Sequence, residues 1–200
     1  ESAYISALDV FIGNGIEVQV QTEHDYTPTP VLSRAVIEWN SKNKAKADGV
    51  VITPSHNPPE DGGLKYNPPH GGPADSDVTR IIEKYANALL SSGLVGVNTC
   101  ESEDVLQHPK LTFVDWRSDY IGQLENCIDM SAIQDAKLTL AVDAMGGSGA
   151  KYWQQIAEHY NLSIEVRNAV VDPTFAFMPL DKDGKIRMDC SSPFAMASLL

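Results

Sequence analysis

Cysteine is scarce in this 200-residue chain: there are three, Cys100, Cys127 and Cys190. They are odd in number, far apart and free of any C-x-x-C spacing, which argues against a disulfide framework and against a zinc site. Free thiols in a reducing cytoplasm are the expectation that remains. Long apolar runs are missing as well. Runs such as Val50-Val51-Ile52 fall far short of the roughly 20 residues that cross a bilayer, and no signal-peptide pattern opens the chain. Positive charge is in short supply, with 15 Lys and Arg against 27 Asp and Glu and a net charge of -12. Without a basic stripe, neither a nucleic acid nor an anionic membrane is the expected partner. A small phosphate ligand needs only a few local donors and stays compatible with that balance.

What is present suits a soluble globular protein: 42% apolar and 8% aromatic residues, enough for a packed core. Residues 2–13 have helical apolar spacing closed by Gly13 and Gly15. Ile16–Val20 alternates as a strand does, and Val31–Trp39 returns to helical spacing. Val50-Val51-Ile52 fits a short buried parallel strand. From Thr53 to Ala74 there are six prolines and four glycines. That density excludes a helix or central strand and predicts a long loop, and loops of that length in compact domains are usually functional or disordered. A helix is expected over Asp75–Leu90, an irregular stretch over Ser91–Pro109 and another helix over Thr112–Met130. Leu138–Val142 reads as a strand, Lys151–Tyr160 as a helix and Leu162–Val166 as a second strand. Asp181–Lys185 predicts a tight turn between Phe177–Leu180 and Ile186–Met188. Ser191 onward reads as a helix start cut short after about two turns. The fold class that follows is α/β: two units with mixed or mostly parallel sheets flanked by helices, the second incomplete. The chain opens on Glu1 rather than Met, and with the short final helix this gives the expectation that the natural polypeptide continues on both sides.

The chemistry concentrates in Thr53-Pro54-Ser55-His56-Asn57-Pro58-Pro59. Ser55 sits where a strand runs out into a proline-fixed loop, and ligands of open α/β sheets bind outside the carboxyl ends of strands. A serine hydroxyl is a poor nucleophile without a base, a metal or an already reactive partner. His56 is its chain neighbour, which is no place for a base oriented by a distant acid, and there is no G-x-S-x-G elbow around Ser55. A phosphorylated serine fits better. Its phosphate carries about -1.5 to -2 charges at neutral pH and needs a cationic partner. Lys65 follows ten residues on, beyond Gly62 and Gly63, which let the backbone turn back. It can neutralise a phosphate or move a proton.

Thr53–Asp75, with its Pro-Pro-Glu-Asp-Gly-Gly and Asn-Pro-Pro-His-Gly-Gly-Pro-Ala-Asp segments, resembles the active-site loop of the α-D-phosphohexomutase superfamily, and most closely that of bacterial glucose-specific phosphoglucomutases. The resemblance extends to Thr27–Pro30, Asp143–Gly149 and Phe177–Ser192. It implies residues 1–130 as a first domain, truncated at its N-terminus and carrying the phosphoserine loop 53–75, and residues 131–200 as the start of a second, truncated at its C-terminus. It implies Ser55 as the phosphoserine, His56 beside it and Lys65 as an acid/base or phosphate-contacting residue. It also implies a hexose phosphate as substrate, glucose 1,6-bisphosphate as intermediate, and Mg²⁺ bound through the Ser55 phosphate and three aspartates. The D-x-D-x-D-R loop that supplies those aspartates is absent from the sequence. So are the sugar-recognition segment, the C-terminal phosphate-binding domain and the N-terminal arginine segment, so the isolated chain is expected to be inactive.

Plainer readings stand beside these. Ser55 can cap a turn, His56 can serve as a structural hydrogen-bonding group, and Lys65 can be a solvated surface lysine. Gly146–Gly149 follows a strand and opens a helix, so it can cradle an anion. It matches no phosphate-loop pattern, and a tight turn is favoured. Asp181 and Asp183 lack the glycine and glutamate positions of a calcium loop. Glu60 and Asp61 read as a solvated loop edge, and the remaining histidines show no ligand spacing. Two alternatives remain for the whole: another sugar, as in a phosphomannomutase or phosphoglucosamine-type mutase, or a non-catalytic domain fragment.

Overall fold

The computed structural model describes residues 2–55, 57, 61–100, 104–186 and 188–199. The chain divides into two compact units, one of residues 1–25, 32–52 and 64–115 and the other of residues 26–31, 53–63 and 116–200. Both combine small sheets with helices.

In the first unit, helix α1 (Ser2–Gly13) buries Leu8 and Ile12, one turn apart on the same face. They pack with Val105 and Leu111, bordered by Tyr4, Ile5, Val18, Val20, Cys100 and Leu106. Each such fully buried aliphatic side chain contributes roughly 1.5–3 kcal/mol. The helix ends as its glycines predict. Gly15 lies at φ +83, its N–H donates to Ile12 O at 2.9 Å, and the Ile16 N–H donates to Phe11 O at 3.0 Å, which is the paired bonding of a Schellman cap. Strand β1 (Val18–Gln21) then runs parallel to β4 (Leu111–Val114), with Val18 opposite Leu111 and Gln21 opposite Val114. Helix α2 (Thr29–Lys42) begins in the second unit and continues into this one.

Strand β2 (Gly49–Ile52) departs from expectation. It pairs antiparallel with β3 (Leu64–Asn67), Val51 opposite Lys65, and Ile52 is 43% exposed. A β-branched run reads as a buried parallel strand only when its partner is unknown. Here the partner is a strand within the proline- and glycine-rich block expected to be loop throughout. The prolines flank β3 rather than interrupt it, so its ladder survives. The segment after β3 is fastened by Asn67, which is 1% exposed and donates from Nδ2 to Gly71 O at 2.9 Å and to Ser33 Oγ at 3.4 Å. Asn40 of α2 donates to Pro69 O at 2.7 Å. Helix α3 (Ser76–Ser91) appears where its pattern predicts, yet none of its residues is buried.

The helix expected over Thr112–Met130 is also corrected. Leu111–Val114 is strand β4, and helix α4 (Trp116–Gly122) follows before a 3-10 turn at Leu124–Asn126. Thr112, Phe113 and Val114 suit a strand as well as a helix, and pairing with β1 decides.

In the second unit, strands β5 (Thr139–Asp143) and β6 (Ser163–Arg167) run parallel, Thr139 opposite Ser163, with helix α6 (Ala150–His159) between them in sequence. Val31, Ile121, Met130, Tyr152 and Tyr160 form the core, with Trp116, Ile133 and Ile156 among the side chains packed on it. Met130 opens the short helix α5 (Met130–Asp135). The buried Tyr160 hydroxyl donates to Ile121 O at 2.6 Å, so the phenol enters the core with its polar end satisfied. The predicted turn forms: Leu180 bridges Ile186, and the Gly184 N–H donates to Asp181 O at 2.8 Å. The helix expected from Ser191 does not form. Ser192 is buried and the Met196 N–H reaches its carbonyl at 3.1 Å, but residues 193–199 remain a series of turns. Among the described residues no helix is long and apolar enough to cross a membrane.

Candidate active-site loop

The loop that leaves β2 places Ser55 three residues beyond Ile52, exposed and at φ +63. A left-handed non-glycine residue is uncommon and persists only where its surroundings hold it, at a cost of about 1–3 kcal/mol. The hold is visible. The Ser55 N–H donates to Thr53 Oγ1 at 2.9 Å, the local turn that a threonine two residues upstream makes. The Thr53 N–H in turn donates to Gly63 O at 2.9 Å and closes the base of the loop. On the other side the Asn57 N–H donates to Pro54 O at 3.2 Å, and the Pro54 ring fixes its own φ and restricts Thr53. The Ser55 side chain thus stands at the surface on a backbone constrained before and after it. His56 lies outside the described residues, as do Pro58, Pro59 and Glu60.

Lys65 is the second residue of β3, exposed, and its ammonium makes no hydrogen bond or ion pair with a described residue. It packs with the first unit and Ser55 with the second. Beside it on β3, the Tyr66 hydroxyl donates to Asp48 Oδ2 at 2.7 Å. That bond, with partial burial and the Asp48 charge, pushes the phenol up to about 12.

A second strand exit carries polar density. Asp143 ends β5; its Oδ1 accepts the Met145 N–H at 2.7 Å, and its Oδ2 accepts the Asn168 amide at 2.7 Å and the Ser198 hydroxyl. The Gly146–Gly149 turn beyond it is packed from within. Gly146 is buried at φ +69, and a β-carbon there would lie 2.7 Å from Phe177 Cζ. The Gly147 N–H is taken by Ala144 O at 2.8 Å. These contacts make a tight strand-to-helix turn and leave little for an anion to use.

An open groove of about 510 Å³, lined in part by Asp129, Met130, Gln134 and Tyr160, also lies on this unit. Its polar groups serve the fold. Asp129 Oδ1 accepts the Ala132 N–H at 3.0 Å as the N-cap of α5, and Gln134 Nε2 donates to Tyr160 O at 2.6 Å. Among the described residues no three His, Cys, Asp or Glu side chains converge as a metal site would require. The one residue at the loop that sequence reasoning overlooked is Thr53. Its signal was present, a threonine two positions before the serine.

Residues 2–92 match the profile of Phosphoglucomutase/phosphomannomutase, alpha/beta/alpha domain I, and residues 118–196 match alpha/beta/alpha domain II of the same name. A phosphoglucomutase of Komagataeibacter xylinus is 47% identical over 196 residues, 98% of this chain and 35% of that protein. A cytoplasmic phosphoglucomutase of Solanum tuberosum is 30% identical over 160 residues, 72% of this chain and 27% of that protein. The chain therefore spans about a third of the length of the curated relatives it matches. Among solved structures, a Thermus thermophilus protein described as a phosphomannomutase superposes with a TM-score of 0.66 at 27% identity, over 90% of this chain and 37% of that one. A phosphoglucomutase from Paramecium, pp63/parafusin, shares the fold with a TM-score of 0.69 at 20% identity, over 92% of this chain and 37% of that one.

Proposed function

The chain belongs to the phosphoglucomutase/phosphomannomutase family, and from that premise we propose that it carries the phosphoryl-accepting part of a phosphoglucomutase. In this reading Ser55 holds a phosphoryl group and passes it to the free hydroxyl of a glucose phosphate. The resulting glucose 1,6-bisphosphate turns over and returns its other phosphate to Ser55, so glucose 1-phosphate and glucose 6-phosphate interconvert. The oxygen–phosphorus bond at the serine breaks as the one at the sugar forms, and the sugar hydroxyl gives up its proton. Lys65, with His56 beside the serine, is the cation and proton-handling group proposed for that step. The division into a first domain carrying the Ser55 loop and a second beginning after it belongs to the same reading, as does residence in the cytoplasm.

The observation that carries the proposal is the serine itself: exposed, left-handed and fixed by its neighbours, with no base oriented on it by a described residue. That suits a phosphoryl carrier, whose catalysis is positioning and charge stabilisation, better than an acyl-transfer nucleophile. The 47% identity to a phosphoglucomutase favours glucose phosphates over mannose phosphates. Magnesium would offset charge on the transferring group. The described residues do not by themselves fit it, since no three His, Cys, Asp or Glu side chains among them converge as a metal site requires, and no step is routed through the ion.

Intact-protein mass spectrometry of the full-length protein after incubation with glucose 1,6-bisphosphate tests the reading. One phosphate on Ser55, lost in Ser55→Ala together with mutase activity, is the expected result. A full-length protein that never carries phosphate there refutes it. Competition between glucose and mannose phosphates then decides the sugar.

A further inference from the structure

Three contacts converge on Thr53. Its hydroxyl oxygen accepts the Ser55 N–H at 2.9 Å. Its own N–H donates to Gly63 O at 2.9 Å. Its carbonyl lies so close to Gly63 that a β-carbon there would meet it at 2.9 Å. The residue is pinned at the loop base through its backbone, and its β-branched side chain has few rotamers to visit. The oxygen that reaches Ser55 is therefore held from below. Ser55, at φ +63, is in a conformation that L-residues leave unless a local contact opposes the drift. Gly63 is needed for close approach: any side chain there would push Thr53, and through it the serine.

We infer that Thr53 is a positioning residue for phosphoryl transfer at Ser55: its hydroxyl holds the serine backbone left-handed so that Oγ meets the incoming phosphorus. The inference rests on the mutase reading above. The step it serves forms the Oγ–phosphorus bond at Ser55 and breaks the oxygen–phosphorus bond of glucose 1,6-bisphosphate, and the serine proton passes to the departing sugar oxygen. Threonine does no chemistry in it. Its contribution is the orientation of the reacting oxygen, and small displacements of a reacting atom are costly.

The test uses the dephosphorylated full-length protein, glucose 1,6-bisphosphate as donor, and rapid quenching with intact-mass readout. Thr53→Val keeps the shape and removes the acceptor. It should slow phosphate uptake by about three- to tenfold, the worth of one hydrogen bond. The turnover number should fall in proportion and KM for glucose 1-phosphate should stay put. Thr53→Ser, which keeps the oxygen, should restore most of the lost uptake. A role confined to folding would not divide kcat from KM in this way. Uptake by Thr53→Val at the wild-type rate overturns the inference while leaving the mutase reading intact. A wild-type protein that takes no phosphate at Ser55 overturns both. If Thr53→Val yields no folded protein, Gly63→Ala decides: slowed uptake supports the role, and wild-type uptake removes it.

Discussion

Replacing Gly71 with alanine tests how tightly the segment after β3 is fitted to helix α2. Gly71 is buried at φ +81, and an added β-carbon would stand 2.7 Å from Ser33 O, 2.7 Å from Ile37 Cγ1 and 2.9 Å from Ile37 Cδ1. The isoleucine can shift its tip, but the Ser33 carbonyl belongs to the helix backbone and cannot. Two terms add. Holding alanine left-handed costs about 1–2 kcal/mol, and forcing a methyl into filled space costs about 1–3 kcal/mol. Gly93 isolates the first term, because it lies at φ +69 with nothing within 4 Å of the added carbon. Gly93→Ala should therefore cost about 1–2 kcal/mol and Gly71→Ala about 2–5 kcal/mol. With an unfolding slope near 2 kcal/mol per molar urea, the midpoints should fall by about 0.5–1 M and 1–2.5 M. Urea titration of both variants beside the parent gives the comparison. Should Gly71→Ala prove no less stable than Gly93→Ala, the close approach to α2 is wrong, and with it the account of how Asn67 and Gly71 fasten this segment.

Two further outcomes follow from the polar contacts. Tyr66 should titrate late, at about 12 rather than near 10, because Asp48 holds its proton. The folded state thus favours the neutral phenol, so the stabilisation is complete below about pH 10 and is lost as pH rises through about 12; ultraviolet titration should show this tyrosine moving back toward its ordinary value in Asp48→Asn. Asp143→Ala should cost about 1–3 kcal/mol, since the Met145 N–H, the Asn168 amide and the Ser198 hydroxyl lose their common acceptor, and Ser198→Ala, removing one of the three, should cost less in the same urea titration.

Much of this arrangement was legible from residue order alone, and what escaped has a common cause. Helices α1, α2, α3 and α6 carry their own periodicity, and α1 even announces its end through Gly15. Strands β5 and β6 stand on either side of a helix, so their parallel pairing was implied. Strand β3 was hidden because its signal is Tyr66 and a partner on another strand, set among prolines that say loop. Strand β4 was hidden for the same reason, its partner β1 lying some ninety residues back. Pairing is information that neighbours in sequence do not hold. At the serine loop the residue types and their spacing were enough to single out Ser55 as the hydroxyl proposed to react. The left-handed backbone and the threonine contact that maintains it became visible only with coordinates, since residue types alone do not set the sign of φ at a non-glycine position.

The sign of one dihedral angle also explains a choice of amino acid. Threonine offers the same oxygen for esterification and the same charge once modified, so chemistry alone gives no reason to prefer serine. A second substituent on the β-carbon, however, crowds the main chain most severely where φ is positive, as it is at residue 55. The smaller alcohol is therefore favoured by shape rather than reactivity, and the phosphate carrier proposed for this position has to be unbranched to fit it.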